Sequence, residues 1–193
     1  MTDTATNQDH GRLLLAIARA AISNSFGSAV PVDEAAPWLQ EKAASFATLM
    51  RHGELRGCIG SIVARRSLLE DVKANARAAA FRDPRFAPLE PGELETTRIE
   101  VSVLSALEPL SARSEADALA HIRPHIDGVV LEWGPRHGTF LPQVWDALPK
   151  PRDFLQQLKL KAGLPPDFWS DEIRLFRYQV VKWCEPELVP EAV

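Results

Sequence analysis

From Gly11 the apolar positions Leu14, Ile17, Ala18 and Ala21 recur at steps of three and four. That period predicts an amphipathic helix, ended within residues 23–27. Residues 1–10 carry no such stripe and are expected to be a disordered lead-in. Residues 28–45 mix prolines, acids and Trp38 without a period and read as a connecting segment. A short strand over 46–50, a turn at His52, Gly53 and Glu54, and an extended return over 55–63 predict a first hairpin. Ser67 is placed to cap a helix whose stripe is Leu69, Val72, Ala76 and Ala79, running to about Phe81 before Asp83-Pro84 breaks it.

Between residues 98 and 104 the chain alternates, Ile99, Val101 and Val103 on one face and Arg98, Glu100 and Ser102 on the other, as a half-buried strand requires. A short helix over 114–121 is expected to stop before Pro124. Residues 126–133 and 138–141 predict a second hairpin around Gly134, Pro135, Arg136 and His137. A helix over 153–162 has Gly163 at its end, where a left-handed residue is wanted. One last strand is expected over 172–183. Helices separate the strands irregularly, which favours an α+β fold with a mixed, largely antiparallel sheet flanked by helices over a doubly wound parallel one. The strands at 55–63 and 99–104 are expected to share a sheet.

Composition narrows the function classes. The 193 residues are 46% hydrophobic and 25% charged, an ordinary globular balance. Lys+Arg 22 against Asp+Glu 26 gives a net charge of −4, which disfavours nucleic acid as a partner. No apolar run is long enough for a membrane span, and a soluble, cytoplasmic protein is expected. Cys58 and Cys184 do not make a disulfide framework, so thiol chemistry stays open. No Gly-rich phosphate loop is present. His121 and His125 have helical spacing, but Pro124 between them breaks the alignment; no metal and no cofactor is expected.

The candidate chemistry centres on Cys58. Gly57 and Gly60 flank Cys58 and Ile59, and glycines within a strand signal a bend or a close approach to something else. Arg56, on the same strand face as Cys58, carries a cation that favours a thiolate. Cys58 reads either as a nucleophile or as a small buried apolar residue. A base would come from His52 or His137, each in a turn. Glu100 points off the polar side of its strand, where Arg56, Arg82 or Arg85 are its expected partners. Arg82 and Arg85, on either side of Asp83-Pro84, suit a carboxylate or phosphate, or else are solvated turn residues.

Three runs in order carry a resemblance: Glu54-Leu55-Arg56-Gly57-Cys58-Ile59-Gly60-Ser61, Phe81-Arg82-Asp83-Pro84-Arg85-Phe86-Ala87-Pro88-Leu89, and Ile99-Glu100-Val101-Ser102-Val103-Leu104. With Gly138-Thr139-Phe140-Leu141-Pro142-Gln143-Val144-Trp145 and Lys161-Ala162-Gly163-Leu164, the chain resembles the AMMECR domain family over residues 11–184. Bacterial and archaeal members are called AmmeMemoRadiSam system protein A. The resemblance implies two unequal, interleaved subdomains with the hexapeptide Leu55-Arg56-Gly57-Cys58-Ile59-Gly60 lining a cleft, followed by a tail over 185–193. It also implies association with a Memo-type protein and a radical S-adenosylmethionine enzyme, and it supplies no reaction. Two classes follow: an enzyme or enzyme subunit acting on a small polar or anionic molecule, or a noncatalytic ligand-binding scaffold. On the first, Cys58, Glu100 and His137 are the catalytic candidates, and Arg56, Gly57, Gly60, Ser61, Arg82 and Arg85 the substrate contacts.

Overall fold

The computed structural model describes residues 4–186. In chain order the elements are α1 (Thr4–Ser25), β1 (Ala44–Arg51), β2 (Glu54–Gly60), α2 (Leu68–Phe81), β3 (Thr97–Leu104) and β4 (Glu108–Leu110). There follow α3 (Glu115–His121), β5 (Gly128–Trp133), β6 (Arg136–Phe140), α4 (Pro151–Lys161), β7 (Arg174–Tyr178) and β8 (Val180–Cys184). The fold is α+β, as the pattern predicts. Its strands form two four-stranded sheets, β2-β1-β3-β8 and β4-β7-β5-β6. The chain divides into two compact units, one running through Leu104 and resuming at Val181, the other spanning Ser105–Val180.

In the first unit, the hexapeptide strand β2 and the alternating strand β3 do share a sheet, with β1 between them. Both pairings with β1 are antiparallel. Ala47 and Leu49 of β1 and Ile99 and Val101 of β3 face a core completed by Leu14, Ile17 and Ala18 of α1 and Val72, Ala76 and Ala79 of α2. The β1–β2 turn is two residues long, with φ of 52° at His52 and 82° at Gly53, the left-handed pair that lets a tight hairpin follow strand twist. Helix α1 begins at Thr4, earlier than the apolar stripe indicates. His10 on that added stretch stacks on Trp38 with ring centroids 4.0 Å apart, which fastens the first turns. The rest of the expected lead-in, residues 1–3, lies outside the described residues, as does most of the expected tail, residues 187–193. Glu185 is tied to the sheet: its carboxylate accepts from the Ile99 N–H at 2.7 Å and from Arg19 Nε at 2.6 Å.

Ser67 caps α2 as expected, its hydroxyl accepting from the Glu70 N–H at 3.3 Å. The buried stripe of α2 also contains two polar residues, Asp71 and Asn75. The Asp71 carboxylate accepts from the Ser45 N–H (2.8 Å), Ser45 Oγ (2.7 Å), Ser61 Oγ (2.8 Å), Arg66 Nε (2.8 Å) and Asn75 Nδ2 (2.8 Å). Asn75 Nδ2 also donates to the Ser45 carbonyl at 2.9 Å. The first hairpin is thus pinned to α2 where β1 begins and β2 ends.

In the second unit Val129, Leu131, Trp145, Phe154, Leu155 and Leu158 lie in the core, and Trp145 stacks on Phe154 at 3.7 Å. Trp145 Nε1 donates to the Asp127 carbonyl at 2.7 Å. The turn of the second hairpin is tighter than expected, Trp133 pairing with Arg136 across Gly134 and Pro135. Gly163 takes φ of 75° at the end of α4, the expected left-handed cap. The single strand expected over 172–183 is two strands in two sheets. The break falls at Gln179, whose carbonyl accepts from the Ser105 N–H at 2.9 Å and whose N–H donates to Ser105 Oγ at 3.0 Å. Among the described residues no helix is long and apolar enough to cross a membrane.

Candidate functional site

Strand β2 is an edge strand, so alternate residues point their peptide groups away from β1. Cys58 is one of them, because it lies opposite Thr48 between the hydrogen-bonded pairs. The turn after α2 satisfies both of its outward groups. The Cys58 N–H donates to Asp83 Oδ2 at 2.8 Å, and Arg85 Nη2 donates to the Cys58 carbonyl at 3.3 Å. Arg85 also grips Asp83, Nε to Oδ1 at 2.9 Å and Nη2 to Oδ2 at 2.7 Å. The Arg85 hydrogen bonds, with help from the Cys58 N–H and against the cost of burial, hold the Asp83 carboxyl far below the ordinary carboxylate range. Asp83 is buried while Arg85 stays exposed.

Side chains in a non-hydrogen-bonded pair approach closely, and Thr48 Oγ1 donates to Cys58 Sγ at 3.3 Å. Thr48 is in turn the cross-strand partner of Glu100. Cys58, Thr48 and Glu100 therefore form one row across three strands, on the face opposite the helices. Glu100 accepts from Arg98 Nη2 at 3.1 Å and from Lys182 Nζ at 3.4 Å, not from Arg56, Arg82 or Arg85. Cys184, on β8, is exposed; desolvation about its sulfur, then the nearby Glu100 carboxylate, push its thiol up.

Four of the remaining candidates, Arg56, Gly57, Gly60 and Ser61, are occupied by the fold itself. Arg56 sends Nε and Nη2 to Glu93 at 3.1 and 2.9 Å, Nη1 to the Ala87 carbonyl at 2.9 Å and Nη2 to the Pro88 carbonyl at 3.3 Å. It clamps β2 to the segment after α2 instead of facing open space. Glu93 also accepts from Arg51 Nη1 at 2.6 Å. The Arg56 hydrogen bond and the Glu90 N–H hold its carboxyl down from 4.5 to about 2. Gly57 is bare because a Cβ there would overlap the Ala79 carbonyl oxygen of α2; Gly60 is bare because the Phe46 ring fills that space. The close approach inferred at both glycines is real, but what approaches is the protein itself. Ser61 donates to Asp71. Arg82 ends α2 and its exposed side chain has no partner among the described residues. His52 stays in the hairpin turn, and His137 is exposed on β6 of the second unit, opposite Glu132.

The seat of Gly57 gives a direct test of this packing. Gly57→Ala is expected to lower stability by about 1–3 kcal/mol, because a backbone carbonyl cannot swing away as a flexible side chain can. Chemical denaturation measures it, and a variant as stable as the parent would show that α2 is not seated on β2 in this way.

Sequence reasoning missed Asp71, Glu93 and Thr48. Glu93 has a trace in the sequence, since it lies three residues after Glu90 with Pro91 between them, a capping-box spacing that the structure realises. Among the described residues no group of three or more His, Cys, Asp or Glu side chains is placed to hold a metal ion.

Comparison with known proteins agrees with this architecture. A protein of Methanothermobacter thermautotrophicus is 39% identical over 182 residues, covering 90% of this chain and 93% of its own. A protein of Methanopyrus kandleri is 38% identical over 192 residues, covering 93% of this chain and 91% of its own. The crystal structure of the uncharacterized protein PH0010 from Pyrococcus horikoshii superposes with a TM-score of 0.80 at 32% identity, covering 91% of each chain. The AMMECR1 family model matches residues 15–183, most of the chain, and the chain belongs to the AMMECR1 family.

Proposed function

We propose that the polar face of β1, β2 and β3 binds a small polar or anionic organic molecule, with Cys58 as the group that meets it, as part of an enzyme or enzyme subunit. One observation carries this reading. Arg56, Gly57, Ile59, Gly60 and Ser61 each have a packing or ion-pair role, whereas the half-buried Cys58 thiol is hydrogen-bonded only to Thr48 among the described residues. Charge supports an anionic ligand. Glu93 is shared by Arg51 and Arg56, and Glu100 by Arg98 and Lys182, so at each place cations outnumber the carboxylate. In this reading the thiolate is the nucleophile and Glu100, one strand beyond Thr48, is the carboxylate that exchanges a proton with the bound molecule. A Memo-type protein and a radical S-adenosylmethionine enzyme are the partners the resemblance implies, and two free thiols suit a cytosolic compartment.

A noncatalytic ligand-binding scaffold is the second reading, favoured by the fact that no histidine or carboxylate hydrogen-bonds the Cys58 sulfur among the described residues. Complementation of a deletion strain separates them, read together with untargeted metabolite profiling. Cys58→Ala is expected to keep a near-parental thermal midpoint and lose complementation, and a fully complementing variant would remove Cys58 from the function. Cys58→Ser keeps the size and the Thr48 contact but is a far weaker nucleophile. Lost complementation in Cys58→Ser supports the enzyme, and retained complementation the scaffold.

A further inference from the structure

Arg85 and Asp83 make an ion pair with an unusual attachment: both members bond the peptide groups of one residue, and that residue is Cys58. An edge strand needs such a cover somewhere to block pairing with another chain, but any turn residue with a spare donor and acceptor would supply it. Here the cover also places a guanidinium on the backbone of Cys58 itself, with Arg85 Nη2 3.3 Å from its carbonyl oxygen. The pair is held rigidly, since Asp83 is buried and also accepts from the Arg85 N–H at 3.1 Å.

We infer that the Asp83–Arg85 pair is the positioning element of Cys58, fixing residue 58 by its N–H and its carbonyl and setting how readily its thiol forms the thiolate. This rests on the reading of Cys58 as the contacting group. The charged groups around the thiol are Asp83 and Arg85 from the turn, Arg56 with Glu93 from its own strand and the segment beyond, and Glu100 with Arg98 across Thr48 on β3. Beyond Glu100 lies Lys182 on β8. Arg56, Arg98 and Lys182 are each bonded to a carboxylate other than Asp83, so changes at residues 83 and 85 leave those contacts in place.

The two members of the pair have opposite charge, which separates a positioning role from a merely structural one. Both Arg85→Gln and Asp83→Asn break the same clamp, and both lower the thermal midpoint. Their effects on the thiol differ in sign. Arg85→Gln removes the cation and leaves the Asp83 carboxylate uncompensated beside Cys58, which disfavours the thiolate. Asp83→Asn leaves the cation uncompensated, which favours it. In a full-length Cys184→Ser background, the rate of Cys58 alkylation by iodoacetamide is followed against pH for each variant. The pH of half-maximal rate is expected to rise by about half a unit to one unit in Arg85→Gln and to fall by a similar amount in Asp83→Asn. Arg85→Lys keeps the charge without the bidentate grip and is expected to stay near the parent value.

Shifts in the same direction in the first two variants, or unchanged profiles with lowered midpoints, overturn the positioning role and leave the pair as an edge cover. The same experiment keeps the two ideas apart. If Cys58 in the folded parent does not react up to pH 9, the reading of Cys58 as the contacting group fails and the inference falls with it. If the parent reacts and only the variant shifts are missing, the positioning role alone fails.

Discussion

Replacing Asp71 with alanine is expected to lower the unfolding free energy by about 3–5 kcal/mol, the range for removing one partner from a buried charged network. Five hydrogen bonds converge on that carboxylate, from Ser45 N–H, Ser45 Oγ, Ser61 Oγ, Arg66 Nε and Asn75 Nδ2. Alanine removes the acceptor they share. The buried Ser45 N–H and Oγ lose their acceptor and their desolvation goes uncompensated, while Asn75 keeps its bond to the Ser45 carbonyl. Asp71→Asn preserves size but turns an amide N–H₂ toward donors, and an intermediate loss is expected. Urea unfolding at neutral pH measures both. A loss below 1 kcal/mol in Asp71→Ala would mean that the hydrophobic contacts of α2 hold the hairpin by themselves. Because Ser61 closes the Cys58 run, a large loss would also appear as weaker hydrogen-exchange protection along β2.

Asp71 also shows where the sequence is hard to read. The stripe Leu69, Val72, Ala76, Ala79 places α2 correctly in the chain, but the buried face is Leu68, Asp71, Val72, Asn75, Ala76, Ala79 and Ala80. A carboxylate and an amide at i and i+4 look like a solvated face, and only strand residues distant in sequence turn them into a core network. Alternation made β3 legible, and Ser67 made the start of α2 legible, because both signals are local. The change of sheet at Gln179 was not, since a strand entering one sheet and a strand entering another have the same local pattern. Its cause is pairing with Ser105, more than seventy residues earlier.

The hexapeptide was legible as a peculiarity but not as a mechanism. Its arginine and glycines suggested a ligand, and each proved to have a protein partner: Glu93 for Arg56, Ala79 for Gly57, Phe46 for Gly60. None of these partners lies near in sequence. Register did what spacing could not, by showing that Cys58, Thr48 and Glu100 share one row. The expected partnership of Glu100 with Arg56, Arg82 or Arg85 failed because Arg56 is taken up by Glu93 and Arg85 by Asp83, while Arg82 ends α2. Arg98 on its own strand and Lys182 on β8 are closer.

Acid is expected to unfold the protein in a way that identifies the Arg56 clamp. Glu93 is held down from 4.5 to about 2, chiefly by the Arg56 hydrogen bond and then by the Glu90 N–H. A carboxyl lowered on folding stabilises the native state fully above its unfolded value, and that contribution disappears as pH falls toward its folded value. The window for Glu93 is therefore pH 4.5 down to about 2. The parent should lose on the order of 2–3 kcal/mol across it through this group, less than the full linkage value because Arg51 and the rim of the site are partly solvated. Glu93→Gln should be less stable than the parent at pH 7 by a similar amount and should have a shallower dependence on acid. The dependence should not vanish, because the Asp83 carboxyl, held far below its ordinary value of 3.8, acts in the same direction and over still lower pH. Stability measured by urea unfolding at half-unit steps from pH 7 to pH 2 gives both slopes. Parallel curves for the parent and Glu93→Gln would show that Arg56 stabilises the charged and neutral forms of Glu93 alike, and would return Arg56 to the list of side chains available to a bound anion.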